Sequence, residues 1–248
     1  IKNMKLLLLN APWHRSDRLG VRAGVRWPFT LPKPQNQAYP EYLPFPFMLA
    51  QATTLLKQNG FEVELIDAIA EGLDYASCYK RSQAFTPNVI VMETSTPSFH
   101  NDIKIAKQLK QSLPDTKFVF CASHVTTYPE KTLKENPVVD FVLLGEYEHI
   151  LLELANALKH NHTKENIKGL VYRRGTTIKN NGRAPLVPID TIPWPAREYL
   201  PMLRYADYFH KDIPKPSLQM LASRGCPFGC VFCLYPDVIY GGTPYRTR

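Results

Sequence analysis

Residues 5–10 read Lys5-Leu6-Leu7-Leu8-Leu9-Asn10, an unbroken apolar run closed by Asn-Ala-Pro. A half-exposed strand alternates apolar with polar residues. Consecutive leucines instead suit a strand covered on both faces, as in a parallel sheet flanked by helices. Working outward, residues 47–59 predict a helix with Leu49, Ala52, Leu55 and Leu56 on one face, stopped at Gly60. The unit then repeats. Strands are expected at 61–66, 88–92, 117–121 and 138–143, and helices at 70–83, 101–112, 129–135 and 149–158. Strands alternating with helices over about 150 residues imply an α/β fold with a doubly wound, five-stranded parallel sheet. Right-handed crossovers put every strand's carboxyl end on one edge.

Composition bounds the rest. With 44% hydrophobic and 21% charged residues, the 248-residue chain can bury a sizeable core. No run of about 18 apolar residues and no secretory signal pattern is present, so neither membrane insertion nor secretion is expected, and a cytoplasmic protein is. Ile1 stands before Met4, which suggests Met4 as the natural start. Of five cysteines, Cys78 and Cys121 stand alone in apolar surroundings and read as small core residues. The net charge of +8 owes much to Arg15, Arg18, Arg22, Arg26 and Lys33, within a Pro-rich stretch, 11–44, that also holds Trp27 and Phe29. Lacking a helical period, it reads as a solvated or domain-facing loop and not as a nucleic-acid surface.

After His160 the pattern changes. Residues 167–173 and 176–179 predict a hairpin around Arg174-Gly175, and a Pro-rich connector covers 185–216. A strand is expected at 217–222, running straight into Cys226-Pro-Phe-Gly-Cys230-Val-Phe-Cys233. The organisation expected is therefore 1–160, an α/β domain; 161–216, hairpin and linker; and 217–248, the start of a further domain that is incomplete here.

The CxxxCxxC loop is the sharpest chemical signal. Three thiolates this close wrap one cluster only if the backbone turns tightly, which Gly225, Pro227 and Gly229 favour. Iron–sulfur clusters are usually held by four Cys thiolates, so three leave one iron open for chemistry. A structural zinc knot and unliganded thiols are the alternatives; zinc knots usually carry a second CxxC arm, and none is present. His124 and His210 lack fitting spacing for a fourth ligand.

This loop resembles the radical-SAM superfamily, whose CxxxCxΦC segment holds a 4Fe–4S cluster, with Phe232 here at the aromatic position. The resemblance implies that Cys226, Cys230 and Cys233 bind the cluster and that S-adenosylmethionine chelates its open iron with its adenine beside Phe232. One electron would then yield a 5′-deoxyadenosyl radical. Arg246 to Arg248 looks like the run into the family's first barrel helix.

In a doubly wound sheet the ligand lies over the carboxyl edge at the switch point. The loops there hold Asn10, Pro12 and Trp13; Thr94, Ser95 and Thr96; Ser123, His124, Val125 and Thr126; and Gly145, Glu146 and Glu148. Taken in order they resemble the N-terminal domain of cobalamin-dependent radical-SAM proteins, and Ile192-Pro-Trp-Pro195 resembles that family's hinge. The resemblance implies that these residues contact cobalamin. Ala122-Ser123 stands where the family often has Gly-Gly, which narrows the room for the nucleotide tail. The Asp-x-His-x-x-Gly motif of other cobalamin enzymes is missing, so a base-off cobalamin is implied; His14, after the first strand, is read as a loop residue. His124 would orient the tail or cap a turn. Glu146 and Glu148 would bond the ligand or cap the fifth helix.

Methyl transfer to an unactivated carbon is the reaction the resemblance implies, and the rival is cyclisation or rearrangement by a radical-SAM enzyme whose front domain no longer binds cobalamin. A non-catalytic iron–sulfur carrier or a response-regulator-like binding module is disfavoured, the latter because Asn10 and Ala11 stand where an acceptor Asp would. Expected partners are a small-molecule substrate and an electron donor such as flavodoxin or ferredoxin.

Overall fold

A computed structural model of the chain describes residues 3–14, 17–22, 28–32, 42–206, 218–242 and 244–247. Strand β1 (Lys5–Asn10) leads into a small antiparallel hairpin, β2 (Arg18–Val21) and β3 (Phe29–Pro32). Helix α1 (Phe47–Gln58), β4 (Glu62–Asp67), α2 (Tyr75–Phe85), β5 (Val89–Glu93) and α3 (Phe99–Ser112) follow. Then come β6 (Lys117–Cys121), the short α4 (Ser123–Thr127) and α5 (Pro129–Glu135), β7 (Phe141–Leu143) and α6 (Glu148–His160). A second hairpin, β8 (Leu170–Arg174) and β9 (Thr177–Asn180), precedes the connector. The final segment holds β10 (Ser223–Gly225), α7 (Tyr235–Tyr240) and β11 (Tyr245–Thr247).

The main sheet runs β4-β1-β5-β6-β7-β8-β9. Its first five strands are parallel, and the last two add antiparallel to the edge. The five parallel strands predicted from sequence are thus present, in an order whose switch point lies between β1 and β5. The leucine run shows why β1 is an interior strand, flanked by β4 and β5 and covered on both faces. Leu6 and Leu8 pack with Leu49 and Leu56 of α1 and Leu151 of α6, while Leu7 and Leu9 face Ile105 and Leu109 of α3 on the other side. Cys78 and Cys121 are buried in these two layers, and burial pushes the Cys78 thiol up to about 12.

Several sequence expectations need correction. The hairpin after His160 does not stand apart: β8 pairs with β7 and lengthens the sheet to seven strands. Helix α2 begins at Tyr75 and not at residue 70, because the Asp74 side chain accepts the Ser77 amide at 2.8 Å and caps it there. Residues 218–222 form no strand; the strand is β10, which begins at the next residue, Ser223, and pairs antiparallel with β11. Arg246 lies in β11, and Arg248 lies outside the described residues. The connector is seated on the domain, since Ala196 donates its amide to the Ala50 carbonyl of α1 at 3.0 Å.

The early basic segment is also not simply solvated. Arg22 is 1% exposed, with Nη1 at 2.6 Å from Asp102 of α3, Nη1 also on Ser98, and Nε on Asn10 Oδ1 at 3.2 Å. It stitches the end of β1 to the start of α3, across the switch point. Arg18 donates Nε to Thr30 Oγ1 at 3.0 Å, across the first hairpin. Arg15, Arg26, Lys33 and Trp27 lie outside the described residues. No described helix is long and apolar enough to cross a membrane.

Removing one partner of a buried ion pair strands the other charge without water. Arg22→Met is therefore expected to lower stability by about 3–5 kcal/mol, read as a fall in the urea midpoint with an unchanged m-value.

Candidate functional site at the carboxyl edge of the sheet

The expected ligand residues divide into those turned inward and those left on the open edge. Asn10 is 1% exposed and donates Nδ2 to Asp67 Oδ1 at 2.9 Å and to the Arg22 carbonyl at 3.2 Å. The Pro12 carbonyl accepts from Asn101 Nδ2 at 2.9 Å. Trp13 lies under the first hairpin, so close that a Cβ on Gly20 would sit 2.1 Å from its ring. His14 packs its ring on Tyr75, centroids 5.4 Å apart. Thr94 and Ser95 are buried and bind inward, to Asp102 at 2.6 Å and Ser98 at 2.9 Å. Val125 is buried as well. Thr126 Oγ1 donates to the Ala122 carbonyl at 2.8 Å and accepts the Gly145 amide at 3.0 Å, which ties the fourth turn to the fifth.

Thr96, Ser123 and His124 remain accessible. His124 Nδ1 is 3.1 Å from Thr96 Oγ1, and its ring lies on Phe99 with centroids 4.0 Å apart. Burial lowers its pKa from the ordinary value, which favours the neutral imidazole. Beside it Ala122 adopts φ 76°, ψ −162°, a conformation close to exclusive to glycine. The turn is held there by the Thr126 hydroxyl and by the amide of the same Thr126, which donates to the Ala122 carbonyl at 3.1 Å.

Glu146 and Glu148 face the last segment of the chain, not the open edge. Glu146 lies 3.2 Å from Arg224 and also pairs with Arg246, and Glu148 pairs with Arg224. Glu148 opens α6, where the helix dipole also favours a carboxylate. Gly145 has φ 69°, and a Cβ there would sit 2.6 Å from the Ile239 carbonyl of α7.

The cysteine loop is anchored at its base and open at its tip. Gly225 has φ 95° and a Cβ would meet the Pro244 carbonyl at 1.8 Å, so only glycine fits; the Cys226 amide donates to that same carbonyl at 3.1 Å. Gly229 shows no such constraint. Cys230 is exposed, Cys226 and Cys233 are half-buried, and Phe232 is 87% exposed. Among the described residues no three His, Cys, Asp or Glu side chains are gathered to hold a metal. The donor set of three thiols suits iron–sulfur, with the loop's own closure still required. His210 lies outside the described residues.

Several residues of this edge escaped sequence reading. Tyr147 and Glu93 are buried together, hydroxyl to carboxylate at 2.5 Å. Asp67 accepts from Asn10, from the Ala70 amide and from the Tyr205 hydroxyl at 2.9 Å; burial nonetheless raises its pKa to about 6. Each contact joins residues far apart in sequence, except Asp67 to Ala70, so no local spacing advertises them.

Residues 39–155 match the B12 binding domain family model, and the sheet with its carboxyl-edge turns is a domain of that class. The match begins after β1, which the structure nonetheless places inside the sheet, between β4 and β5. Over residues 39–155 the chain therefore belongs to the B12-binding domain family. It is 32% identical over 189 residues to an uncharacterized methyltransferase of Pyrococcus horikoshii, spanning 76% of this chain and 40% of that protein. It is 24% identical to the anaerobic magnesium-protoporphyrin IX monomethyl ester cyclase of Cereibacter sphaeroides, over 76% of this chain and 31% of the cyclase. The chain thus spans less than half the length of these relatives. Among solved structures, the radical S-adenosylmethionine methyltransferase TsrM of Kitasatospora setae shares the fold, with TM-score 0.63 at 18% identity over 99% of this chain and 43% of TsrM.

Two outcomes follow from this edge. Ala122→Gly relieves backbone strain of about 1–3 kcal/mol, less the entropy of a freer unfolded chain; a net gain of about 1 kcal/mol is expected by urea denaturation. For Asp67 the folded pKa is raised, so the fold favours the neutral acid. Stability should fall as pH rises from about 4 to the folded value near 6, by about 3 kcal/mol, and then level off. Asp67→Asn should remove that slope from the pH profile of the urea midpoint.

Proposed function

We propose that this chain is part of a cobalamin-dependent radical-SAM enzyme that methylates an unactivated carbon of a small-molecule substrate. The observation that carries the reading is the seating of a CxxxCxxC loop, by β10–β11 and α7, directly on the carboxyl edge of a B12-binding domain. Two cofactor sites then adjoin one another.

Cys226, Cys230 and Cys233 would hold the 4Fe–4S cluster, and Phe232, exposed on the same loop, would lie beside the adenine of S-adenosylmethionine. Thr96, Ser123 and His124 are the accessible hydrogen-bonding groups for cobalamin, with neutral His124 able to donate or accept. When bound, the cluster supplies one electron for reductive cleavage of S-adenosylmethionine to methionine and a 5′-deoxyadenosyl radical, and the corrinoid supplies a methyl carrier. The chain's own residues bind, orient and seclude. The Ala122 Cβ narrows the turn over which the nucleotide tail would run, and Thr126 keeps that turn rigid against Gly145. Methyl transfer is favoured because the Pyrococcus relative and TsrM are named methyltransferases. The cyclase relative supports ring formation as a second reading. An electron donor such as flavodoxin or ferredoxin, and an anaerobic cytoplasmic setting, complete the proposal.

Anaerobic reconstitution with iron, sulfide and hydroxocobalamin tests it. A base-off corrinoid spectrum and cluster absorbance should both survive gel filtration. Cys226→Ala should abolish bound iron and leave bound corrinoid within twofold of wild type. A folded chain that retains no corrinoid would overturn the cobalamin half of the proposal, and loss of both cofactors in Cys226→Ala would overturn the division into two sites.

A further inference from the structure

Arg224 lies two residues before the first cysteine of the loop and is 3% exposed. Its strand, β10, pairs with β11 so that Arg224 stands directly opposite Arg246. Like charges facing each other across an antiparallel pair repel, and a guanidinium withdrawn from water carries a desolvation penalty of several kcal/mol. The arrangement requires counter-charge, and neither strand provides it. The B12-binding domain does.

Arg224 Nη1 lies 3.2 Å from Glu146, while Nη2 donates to Glu148 and, at 2.6 Å, to Gln51 Oε1 of α1. Arg246 donates Nη2 to Glu146 and Nη1 to the Val187 carbonyl at 2.5 Å. Two guanidinium groups thus meet two carboxylates, with the side chains of Arg224, Glu146 and Glu148 all at most 6% exposed. The planar fork of Arg224 spans acceptors from two helices and a turn, which an ammonium would not. The far end of the loop is seated on the same turn: the Ile239 carbonyl of α7 fills the space beside Gly145, and Arg183 Nη2 donates to the Val238 carbonyl at 2.9 Å. Cys226, Cys230 and Cys233 are therefore carried between two supports on one turn, Gly145 to Glu148. The main sheet does not depend on this contact, since its two packed layers contain no residue of β10 or β11.

We infer that Arg224 is a positioning residue that, through Glu146, Glu148 and Gln51, locks the base of the cysteine loop to the carboxyl edge of the B12-binding domain and so sets the separation of the two cofactors. The cofactor part rests on the function proposed above; the locking of the loop does not.

The test uses the full-length protein as wild type, Arg224→Ala, Arg224→Lys and the near-isosteric Glu148→Gln. Amide hydrogen exchange should quicken at least tenfold across 223–234 in Arg224→Ala and several-fold in Glu148→Gln, while β1 and β5 keep wild-type protection. Arg224→Lys should recover less than half of the lost protection, because one ammonium cannot bridge Gln51 and both glutamates. With cluster and corrinoid both loaded and reduced to paramagnetic states, pulsed dipolar spectroscopy should show one narrow iron–cobalt distance in wild type. That distribution should broaden in Arg224→Ala and Glu148→Gln at unchanged cofactor occupancy. Wild-type exchange across 223–234 in every variant, or an unaltered distance distribution, would overturn the inference. A wild-type protein that binds only one cofactor would instead overturn the proposed function, and the exchange data would still decide whether Arg224 locks the loop.

Discussion

A guanidinium removed from water must be surrounded by acceptors, and at least one of them must carry charge. Among the described residues this demand arises twice on the same edge of the sheet. Arg22 meets it with Asp102, Ser98 and Asn10, and in doing so binds the segment after β1 to α3 across the switch point. Arg224 meets it with Glu146, Glu148 and Gln51, and in doing so binds the cysteine loop to the turn after β7. Much of the rest follows. The first hairpin is held over Trp13 beside the first of these centres, and β10, β11 and α7 gather on the second. Two ion-pair centres, each complete only when distant segments meet, fix how the segment after β1 and the cysteine loop sit upon the sheet.

The turns between these centres are correspondingly stiff. Ala122 is kept in a glycine-like conformation by Thr126, which also receives the Gly145 amide. Gly145 in turn has no room for a side chain against α7. Most hydroxyl residues at the strand ends are spent on this scaffold, and only Thr96, Ser123 and His124 stay accessible from the groups that resemble a cobalamin cradle. A ligand at this edge would meet a preformed surface with few polar contacts, as is usual for cofactor sites, where orientation depends on a small number of fixed groups.

Periodicity carried the sequence reading where it succeeded. Leu6 to Leu9 could only be a strand covered on both sides, and the five parallel strands, the helical faces and the buried Cys78 and Cys121 all express burial patterns local to a few residues. Where local pattern was silent, the reading erred. The hairpin after His160 carries no mark saying that Leu143 will pair with Leu170, and Arg22 looks in sequence like any other cation of a basic loop. The expected helix at 70–83 overran its true start, which the Asp74 side chain marks by capping the Ser77 amide. Asn10, Glu146 and Glu148 were expected to contact a ligand at the carboxyl edge, but their side chains answer to Asp67 and to two arginines.

The amino-acid sequence by itself determined the α/β class, the parallel sheet and the position of the three-thiol loop, because each is written in spacings of two to four residues that the backbone geometry reads directly. Tertiary structure alone decided which edge residues face outward, which acids neutralise which arginines, and where the cysteine loop is seated. Those outcomes depend on desolvated charges whose partners stand 76 to 173 residues apart for Arg224 and 80 for Arg22 to Asp102. A buried charge specifies that it must be met. Only the packed fold specifies by what.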